Sequence, residues 1–140
     1  MTAFILDTDT ITFWLQGNTA VAVALAARKP DEIGIPIIAV EEIWDGWQLA
    51  IRSAKTPERA AHGSAKLAET LMRLRPFAIA HQSVGAIEKY RELKMQKLNV
   101  GANDLKIAAI ALDLGATVVT NNEQDFRRVP GLTVENWTAG

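Results

Sequence analysis

The sequence places five oxygen-bearing side chains where they could bind one divalent cation together. Asp7 and Glu42 each follow a short apolar run in the first third of the chain. Asp104 opens an alanine-rich helical stretch, and Asn122 and Asp125 follow a third apolar run. Carboxylates crowded into one cleft repel each other unless a cation lies between them, and carboxylate oxygens are preferred ligands of Mg²⁺. These residues therefore predict a divalent metal site if the fold brings them together.

An alternating order of strands and helices would bring them together. The apolar runs are short and mostly continuous, which is typical of a parallel sheet that is buried on both faces. We predict strands near 3–7, 34–38, 77–80, 116–120 and 132–135. We predict helices near 9–16, 18–29, 39–54, 57–74, 82–97 and 103–114, with one further turn at 122–126. The loops that follow parallel strands share one edge of the sheet, and ligands bind at that edge.

The expected fold is therefore α/β, with a mostly parallel, short-stranded sheet as the middle of three layers. The segment 39–74 is predicted to form two helices joined around Lys55 and Thr56, as an arm that projects from the sheet. A chain of 140 residues is expected to form a single domain, 1–140.

The composition excludes several classes of protein. Hydrophobic residues make up 49% of the chain and charged residues 22%, which is typical of a globular domain. The absence of cysteine excludes a disulfide framework and thiolate metal sites. The first apolar stretch is interrupted by Asp7 and Asp9, which argues against a signal peptide, and no apolar run is long enough to cross a membrane. We expect a cytoplasmic protein with no membrane partner.

Charge is distributed unevenly, although the formal net charge is only −1. Residues 52–106 contain eleven basic and five acidic side chains, whereas residues 1–51 contain two basic and seven acidic ones. This segregation is consistent with an acidic site flanked by basic helices that hold a polyanion. Long surface helices also carry lysine and arginine simply because these residues are solubilising, so the charge pattern alone leaves both interpretations open.

Each acidic residue also has a purely structural interpretation when it is taken alone. Asp7 could cap the helix that begins near Thr8, and Asp104 is favoured by the helix dipole in a first turn. Helical periodicity does not choose between Glu42 and its neighbour Glu41, although Gly46, one turn further on, leaves room near Glu42. The common position of the acids relative to the strands is the feature that favours a shared site.

An apolar stripe runs along the first helix of the arm. Its members recur at helical spacing and include two tryptophans: Val40, Ile43, Trp44, Trp47 and Ile51. Packing in the core is the default explanation of such a stripe. Because aromatic residues anchor protein interfaces, part of the stripe could instead contact a partner or a second copy of the chain.

Four segments of the chain resemble the PIN-domain nucleases, in particular the VapC toxins of bacterial toxin–antitoxin pairs. The segments are 4–10 (FILDTDT), 42–46 (EIWDG), 101–109 (GANDLKIAA) and 120–132 (TNNEQDFRRVPGL). The resemblance covers nearly the full length, and the last two segments are specific in combination. It implies the PIN-like form of the α/β fold.

The resemblance also implies roles for individual residues. Asp7 and Asp104 match the principal metal ligands of the family. Glu42 matches its helix glutamate, and Gly46 fixes the register in favour of Glu42 over Glu41. Asn122 matches the fourth position, which varies between an acid and asparagine, and Asp125 matches an additional acid or an outer partner of the site. Two departures, Asp9 in place of the common asparagine and an uncharged Asn122, leave the number of bound ions open.

By the same resemblance, the expected activity is Mg²⁺- or Mn²⁺-dependent hydrolysis of RNA phosphodiester bonds. The expected partners are RNA, a cognate antitoxin protein and a second copy of the chain in a homodimer. Basic side chains of the arm would hold the RNA backbone: Arg52, Lys55, Arg59, Arg73 and Arg75.

Two other functions are compatible with parts of the sequence. Asp7-Thr8-Asp9 after an apolar run resembles the Asp-x-Asp opening of haloacid-dehalogenase-type phosphatases, with Asp7 as nucleophile and Asp9 as acid and base. Ile11 does not fit that motif, and the chain is short for that fold. The other alternative is a degenerate PIN domain that binds RNA or protein without catalysis, because Asn122 replaces a fourth acid.

Overall fold

The computed structural model describes residues 1–138, so Ala139 and Gly140 of the expected single domain lie outside the described residues. Within this range the chain forms one five-stranded parallel sheet with the order β3-β2-β1-β4-β5. The strands are β1 (Phe4–Leu6), β2 (Ile33–Pro36), β3 (Ala78–Ala80), β4 (Thr117–Val119) and β5 (Val134–Glu135). The predicted α/β fold with a parallel, short-stranded sheet is confirmed.

Seven α-helices connect and cover the strands in the described range. They are α1 (Thr8–Leu15), α2 (Thr19–Ala26), α3 (Ile37–Ser53), α4 (Pro57–Leu74), α5 (Val84–Met95), α6 (Ala102–Leu114) and α7 (Glu123–Phe126). A short 3₁₀ turn at Pro30–Glu32, which the sequence did not predict, precedes β2.

Neighbouring residues of the central strands contribute to two separate hydrophobic clusters, as strand geometry requires. Ile5 of β1 and Val118 of β4 belong to the cluster formed with α5 and α6. Leu6 and Val119 belong to the other cluster, which α1 to α4 cover. The sheet is therefore the middle of three layers, and its strands are apolar on both faces.

The start of α3 differs from the prediction by two residues. The apolar run was predicted to be a strand as far as residue 38, whereas β2 ends at Pro36 and Ile37 already begins α3. Proline has no N–H group to donate and its φ is fixed near the value of a helix entry, so Pro36 ends the strand and lies at the N-cap of the helix. Ile38 consequently packs in the core as a helical residue.

Helices α3 and α4 form the predicted arm. Thr56 caps α4 by accepting a hydrogen bond from the Arg59 N–H at 3.2 Å, and Pro57 occupies the first turn. Close approach of the two helices depends on Gly63, since a Cβ atom there would lie 3.0 Å from Cγ1 of Ile51. The arm is thus held together by helix packing.

The order of the strands creates a crevice at the carboxyl end of β1. The chain proceeds from β1 outward to β2 and β3, and then returns to the other side of β1 with β4 and β5. Ligands of open α/β sheets bind at such a switch point. The Asp7 N–H donates to the Val119 carbonyl at 3.0 Å, so the two strand ends are joined where the crevice opens.

None of the helices within residues 1–138 is both long and apolar enough to cross a membrane.

Candidate metal and nuclease site

Asp7 lies at the bottom of the crevice as the N-cap of α1, and only 4% of its surface is exposed. Its Oδ1 accepts a hydrogen bond from the Thr10 N–H at 2.9 Å, and its Oδ2 accepts one from the Thr120 hydroxyl at 2.6 Å. Burial raises the pKa of Asp7, while the hydrogen bonds from Thr120 and Thr10 lower it and the nearby Asp9 adds to the increase. Asp7 is therefore both a helix cap and a buried carboxylate facing the crevice.

Thr120 fixes the orientation of the Asp7 carboxylate. The Thr120 hydroxyl accepts a hydrogen bond from the Asn122 N–H at 2.8 Å, and its single proton is donated to Asp7. Thr120 was not predicted to have a role in the site, although a threonine directly follows the apolar strand β4 at the same sheet edge.

Asp104 lies in the first turn of α6 and faces the same crevice. Burial raises its pKa from 3.8 to about 6, and the carboxylates of Asp7, Glu42, Asp9 and Asp125 contribute to the increase in that order. Within residues 1–138, no hydrogen bond to the Asp104 side chain compensates for this repulsion. The fold thus brings acids that are distant in sequence within electrostatic reach of one another.

Glu42 approaches the crevice from α3. Its Oε1 accepts a hydrogen bond from the Thr8 hydroxyl at 2.7 Å, directly beside Asp7. No atom would lie within 4 Å of a Cβ at Gly46, which agrees with the expected room one turn further along α3. Glu42, which contributes to the raised pKa of Asp104, is accordingly the glutamate of the pair that faces the site.

Asn122 and Asp125 lie at the rim of the crevice and bind each other. The Asn122 amide donates to Asp125 Oδ2 at 2.9 Å, and the Arg128 guanidinium lies 3.2 Å from Asp125 Oδ1. Arg128 also donates to the Asn99 carbonyl at 2.8 Å and so connects the loop before α6 to α7. Both carboxylate oxygens of Asp125 have partners, so the geometry gives Asp125 a supporting position in the outer part of the site.

The residue types of the crevice fit Mg²⁺ or Mn²⁺. All potential ligands are oxygens, and the neighbouring carboxylates add to the increase that burial causes in the pKa of Asp104. Within the described part of the chain, however, no three acidic or histidine side chains are yet arranged to share an ion. Asp7 is held by Thr120 and Glu42 by Thr8, so a shared ion requires some side chains to rotate toward it.

The basic residues proposed for RNA binding fall into two groups. Arg52, Lys55, Arg59 and Arg75 are exposed. Arg73, in contrast, donates to the carbonyls of Leu15 at 2.9 Å and Trp14 at 3.5 Å, and its guanidinium lies 4.4 Å from the centroid of a Trp14 ring. Arg73 therefore caps the carboxyl end of α1.

The apolar stripe of α3 also divides into two parts. Val40 and Ile43 pack against the core cluster on the α1–α4 face. Trp44 is 42% exposed, and Trp47 lies edge-on to His62 with ring centroids 6.4 Å apart. Core packing thus explains the first turns of the stripe, and Trp44 is left at the surface.

Comparison with known proteins identifies related chains. A ribonuclease VapC2 of Haemophilus influenzae is 29% identical over an alignment 142 positions long, which covers 98% of this chain and 99% of that protein. A ribonuclease VapC2 of Rickettsia felis is 50% identical over only 46 residues, 33% of this chain and 34% of that protein. Among solved structures, DNA-bound VapBC of Salmonella typhimurium contains a chain with a TM-score of 0.80 and 26% identity, covering 98% of this chain and 99% of that one.

The PIN domain family matches residues 4–132, which include all the acids of the crevice. This match includes Asp7-Thr8-Asp9 and excludes the phosphatase interpretation of these residues. The chain belongs to the PIN-domain family.

Proposed function

We propose that this protein is a metal-dependent ribonuclease and the toxin of a toxin–antitoxin pair. Its similarity to proteins named ribonuclease VapC, together with the PIN domain, supports the activity on RNA. The observation that carries the mechanism is the gathering of four other carboxylates around the partly buried Asp104, where they add to the increase in its pKa that burial causes, because a cation stabilises such a cluster. An RNA substrate implies action in the cytoplasm.

In this proposal Asp7, Glu42 and Asp104 hold the metal ion. The bound ion would supply a water of lowered pKa and charge compensation for the scissile phosphate. The Thr120 hydroxyl and the Thr10 N–H hold the Asp7 carboxylate in one orientation by restricting the rotation of its side chain. Asn122 and Asp125 support the rim of the site through their hydrogen bond to each other.

The exposed cations of the arm and its end are proposed to bind the RNA backbone: Arg52, Lys55, Arg59 and Arg75. Replacing Arg52, Lys55 and Arg59 by glutamine should weaken RNA binding at low salt and reduce the slope of log affinity against log salt by about two. Fluorescence anisotropy with a labelled single-stranded RNA measures both quantities. An unchanged slope would remove the arm from the RNA path, and Lys66→Gln, which breaks an ion pair with Glu69, is the control.

The antitoxin is proposed to cover a groove between α1, α3 and α4. The groove has a volume of about 360 Å³, and its wall includes Leu15, Ile43 and Trp47 beside the polar Glu69. An apolar helix of the partner would fill such a groove, and a basic side chain of the same partner could enter the acidic crevice. We also propose a homodimer, which the solution mass of the isolated toxin would test.

Cleavage of RNA by the purified protein tests the proposed function. Wild-type protein should cleave with Mg²⁺ or Mn²⁺ and not with EDTA, and Asp7→Asn should lower the rate by about 10²–10³-fold because it removes a ligand of the ion that would compensate transition-state charge. Glu42→Gln should also lower the rate, whereas Glu41→Gln, which changes an exposed neighbour on the same helix, should not.

Two outcomes would contradict the proposal. Cleavage that persists in EDTA, or at the wild-type rate in Asp7→Asn, would exclude the metal mechanism. RNA binding without cleavage at any metal concentration would indicate a non-catalytic PIN module instead. Circular dichroism of each variant shows whether the loss of activity comes from chemistry or from misfolding.

A further inference from the structure

A second cationic cluster lies on the opposite face of the sheet from the arm. It is centred on Tyr90 of α5, which is half-buried. The ammonium of Lys106 on α6 lies 5.6 Å from the Tyr90 ring centroid, and the ammonium of Lys94, one turn further along α5, lies 6.0 Å from it. Packing of α5 against α6 therefore brings two lysines to one aromatic ring.

No carboxylate within residues 1–138 pairs with the lysines of the cluster. Within residues 1–138, neither Lys94 nor Lys106 forms an ion pair, and the Tyr90 hydroxyl has no hydrogen-bond partner. Lys89 on the same helix is different, because it pairs with Glu92 at 3.2 Å. A ring face attracts cations only modestly, so two lysines that share one ring leave a net positive site that favours an anion.

The cluster and the acidic crevice lie on opposite sides of the first turns of α6. Asp104 and Lys106 are both in the first turns of α6, separated by about 3 Å along the helix axis and about 200° around it. Asp104 faces the crevice and Lys106 faces α5. An RNA strand that crosses the amino end of α6 would therefore pass the acids first and the lysines next. The helix dipole at this end also favours anions.

The loop that leads into α6 is held in a defined conformation. Lys97 and Asn99 have φ values of 52° and 60°, which are uncommon for residues other than glycine. The Asn99 carbonyl accepts the hydrogen bond from Arg128. This contact joins the loop between α5 and α6 to the segment that follows α7.

We propose that Tyr90, Lys94 and Lys106 bind a phosphodiester group of the RNA on the α5–α6 side of the crevice. The two ammonium groups and the phenolic hydroxyl are suited to a phosphate, because all three donate hydrogen bonds. This inference rests on the proposed ribonuclease function and adds a second contact surface for the same strand. RNA bound by the arm and by this cluster would be held on both sides of the scissile bond.

Binding of a labelled single-stranded RNA in EDTA tests the cluster without cleavage. The double variant Lys94→Gln/Lys106→Gln should bind more weakly than wild type, and its slope of log affinity against log salt should be smaller by about one to two. The charge-preserving variant Lys94→Arg/Lys106→Arg should keep the wild-type slope. Lys89→Gln, whose ammonium is paired with Glu92, should leave the slope unchanged.

Steady-state cleavage separates this inference from the proposed function. For Lys94→Gln/Lys106→Gln, KM should rise while kcat stays near the wild-type value, since the cluster binds RNA away from the reacting atoms. If the wild-type protein cleaves RNA but the double variant keeps the wild-type KM and salt slope, only the proposal that the cluster binds RNA is overturned. A wild-type protein that neither binds nor cleaves RNA would overturn both proposals.

Discussion

Asp7 and Asp104 are the same kind of residue in two very different regions of one site. Asp7 lies between the ends of β1 and β4, almost fully buried, with one hydrogen bond to each carboxylate oxygen. Asp104 lies in the first turn of α6, where no hydrogen bond within residues 1–138 supports its side chain; partial burial raises its pKa to about 6, and four other carboxylates add to the increase.

The comparison shows that the fold gives the two carboxylates different environments. The sheet edge holds the buried Asp7 carboxylate in one orientation through Thr10 and Thr120. At the start of α6, partial burial and the neighbouring carboxylates both oppose the charge of Asp104. In the proposed metal site, Asp7 would be the ligand with a fixed orientation and Asp104 the ligand whose charge the ion would compensate.

The largest expected effect comes from removing the Thr120 hydroxyl, which should lower the affinity for the metal ion or the rate of cleavage. Thr120→Val keeps the shape of the side chain but loses the donor to Asp7 and the acceptor for the Asn122 N–H. Loss of such an outer partner of a metal ligand lowers metal affinity or activity by about 10–100-fold. Titration of cleavage with Mg²⁺ measures the shift in the metal concentration that gives half the maximal rate.

Thr120→Ser provides the decisive comparison, because serine retains the hydroxyl. It should restore most of the activity that Thr120→Val loses. If both variants behave alike, the methyl group and its packing matter rather than the hydrogen bond, and Asp7 is not oriented by Thr120.

Substitution of Asp104 is expected to have a smaller effect, which concerns the stability of the protein and the pH dependence of that stability. A carboxylate with a raised pKa stabilises the native state below its unfolded value of 3.8, and this contribution is lost as the pH rises through about 6. Metal-free Asp104→Asn should therefore melt at nearly the same temperature as wild type in acid and on the order of 2–5 °C higher at neutral pH. Differential scanning fluorimetry across this pH range measures the difference.

Mg²⁺ should reverse the order of the two proteins at neutral pH, since only wild type retains the full set of ligands and gains stability by binding. Asp45→Asn, which removes one exposed carboxylate from α3, reports the effect of net charge alone. A melting difference between Asp104→Asn and wild type that does not change with pH would show that Asp104 is not under electrostatic stress.

Much of this architecture follows from local features of the sequence. Short apolar runs predicted the five parallel strands, and the position of Asp7 and Asp104 relative to these runs predicted that the fold would bring them to one edge. The resemblance to the PIN family, with Gly46 fixing the register, favoured Glu42 over Glu41. These inferences succeed because strand burial and helix periodicity are encoded within a few neighbouring residues.

Contacts between elements distant in the chain could not be predicted in the same way. Arg73 was predicted to bind RNA. In the structure its guanidinium donates a hydrogen bond to the carbonyl of Leu15 in α1, which is 58 residues away in the sequence. The cluster around Tyr90 depends on the register of α5 against α6, which no local pattern specifies. The early start of α3 reflects the competition of Pro36 with an apolar run that resembles a longer strand.

Direct measurement of Mn²⁺ binding tests the central claim that the fold gathers these carboxylates around a divalent ion. Electron paramagnetic resonance of free Mn²⁺ during titration gives the affinity of the wild-type protein and of the Asp7→Asn and Asp104→Asn variants. We predict that wild type binds Mn²⁺ and that each variant binds at least about 10-fold more weakly. Equal affinities in the three proteins, or no binding by the folded wild type, would contradict the account.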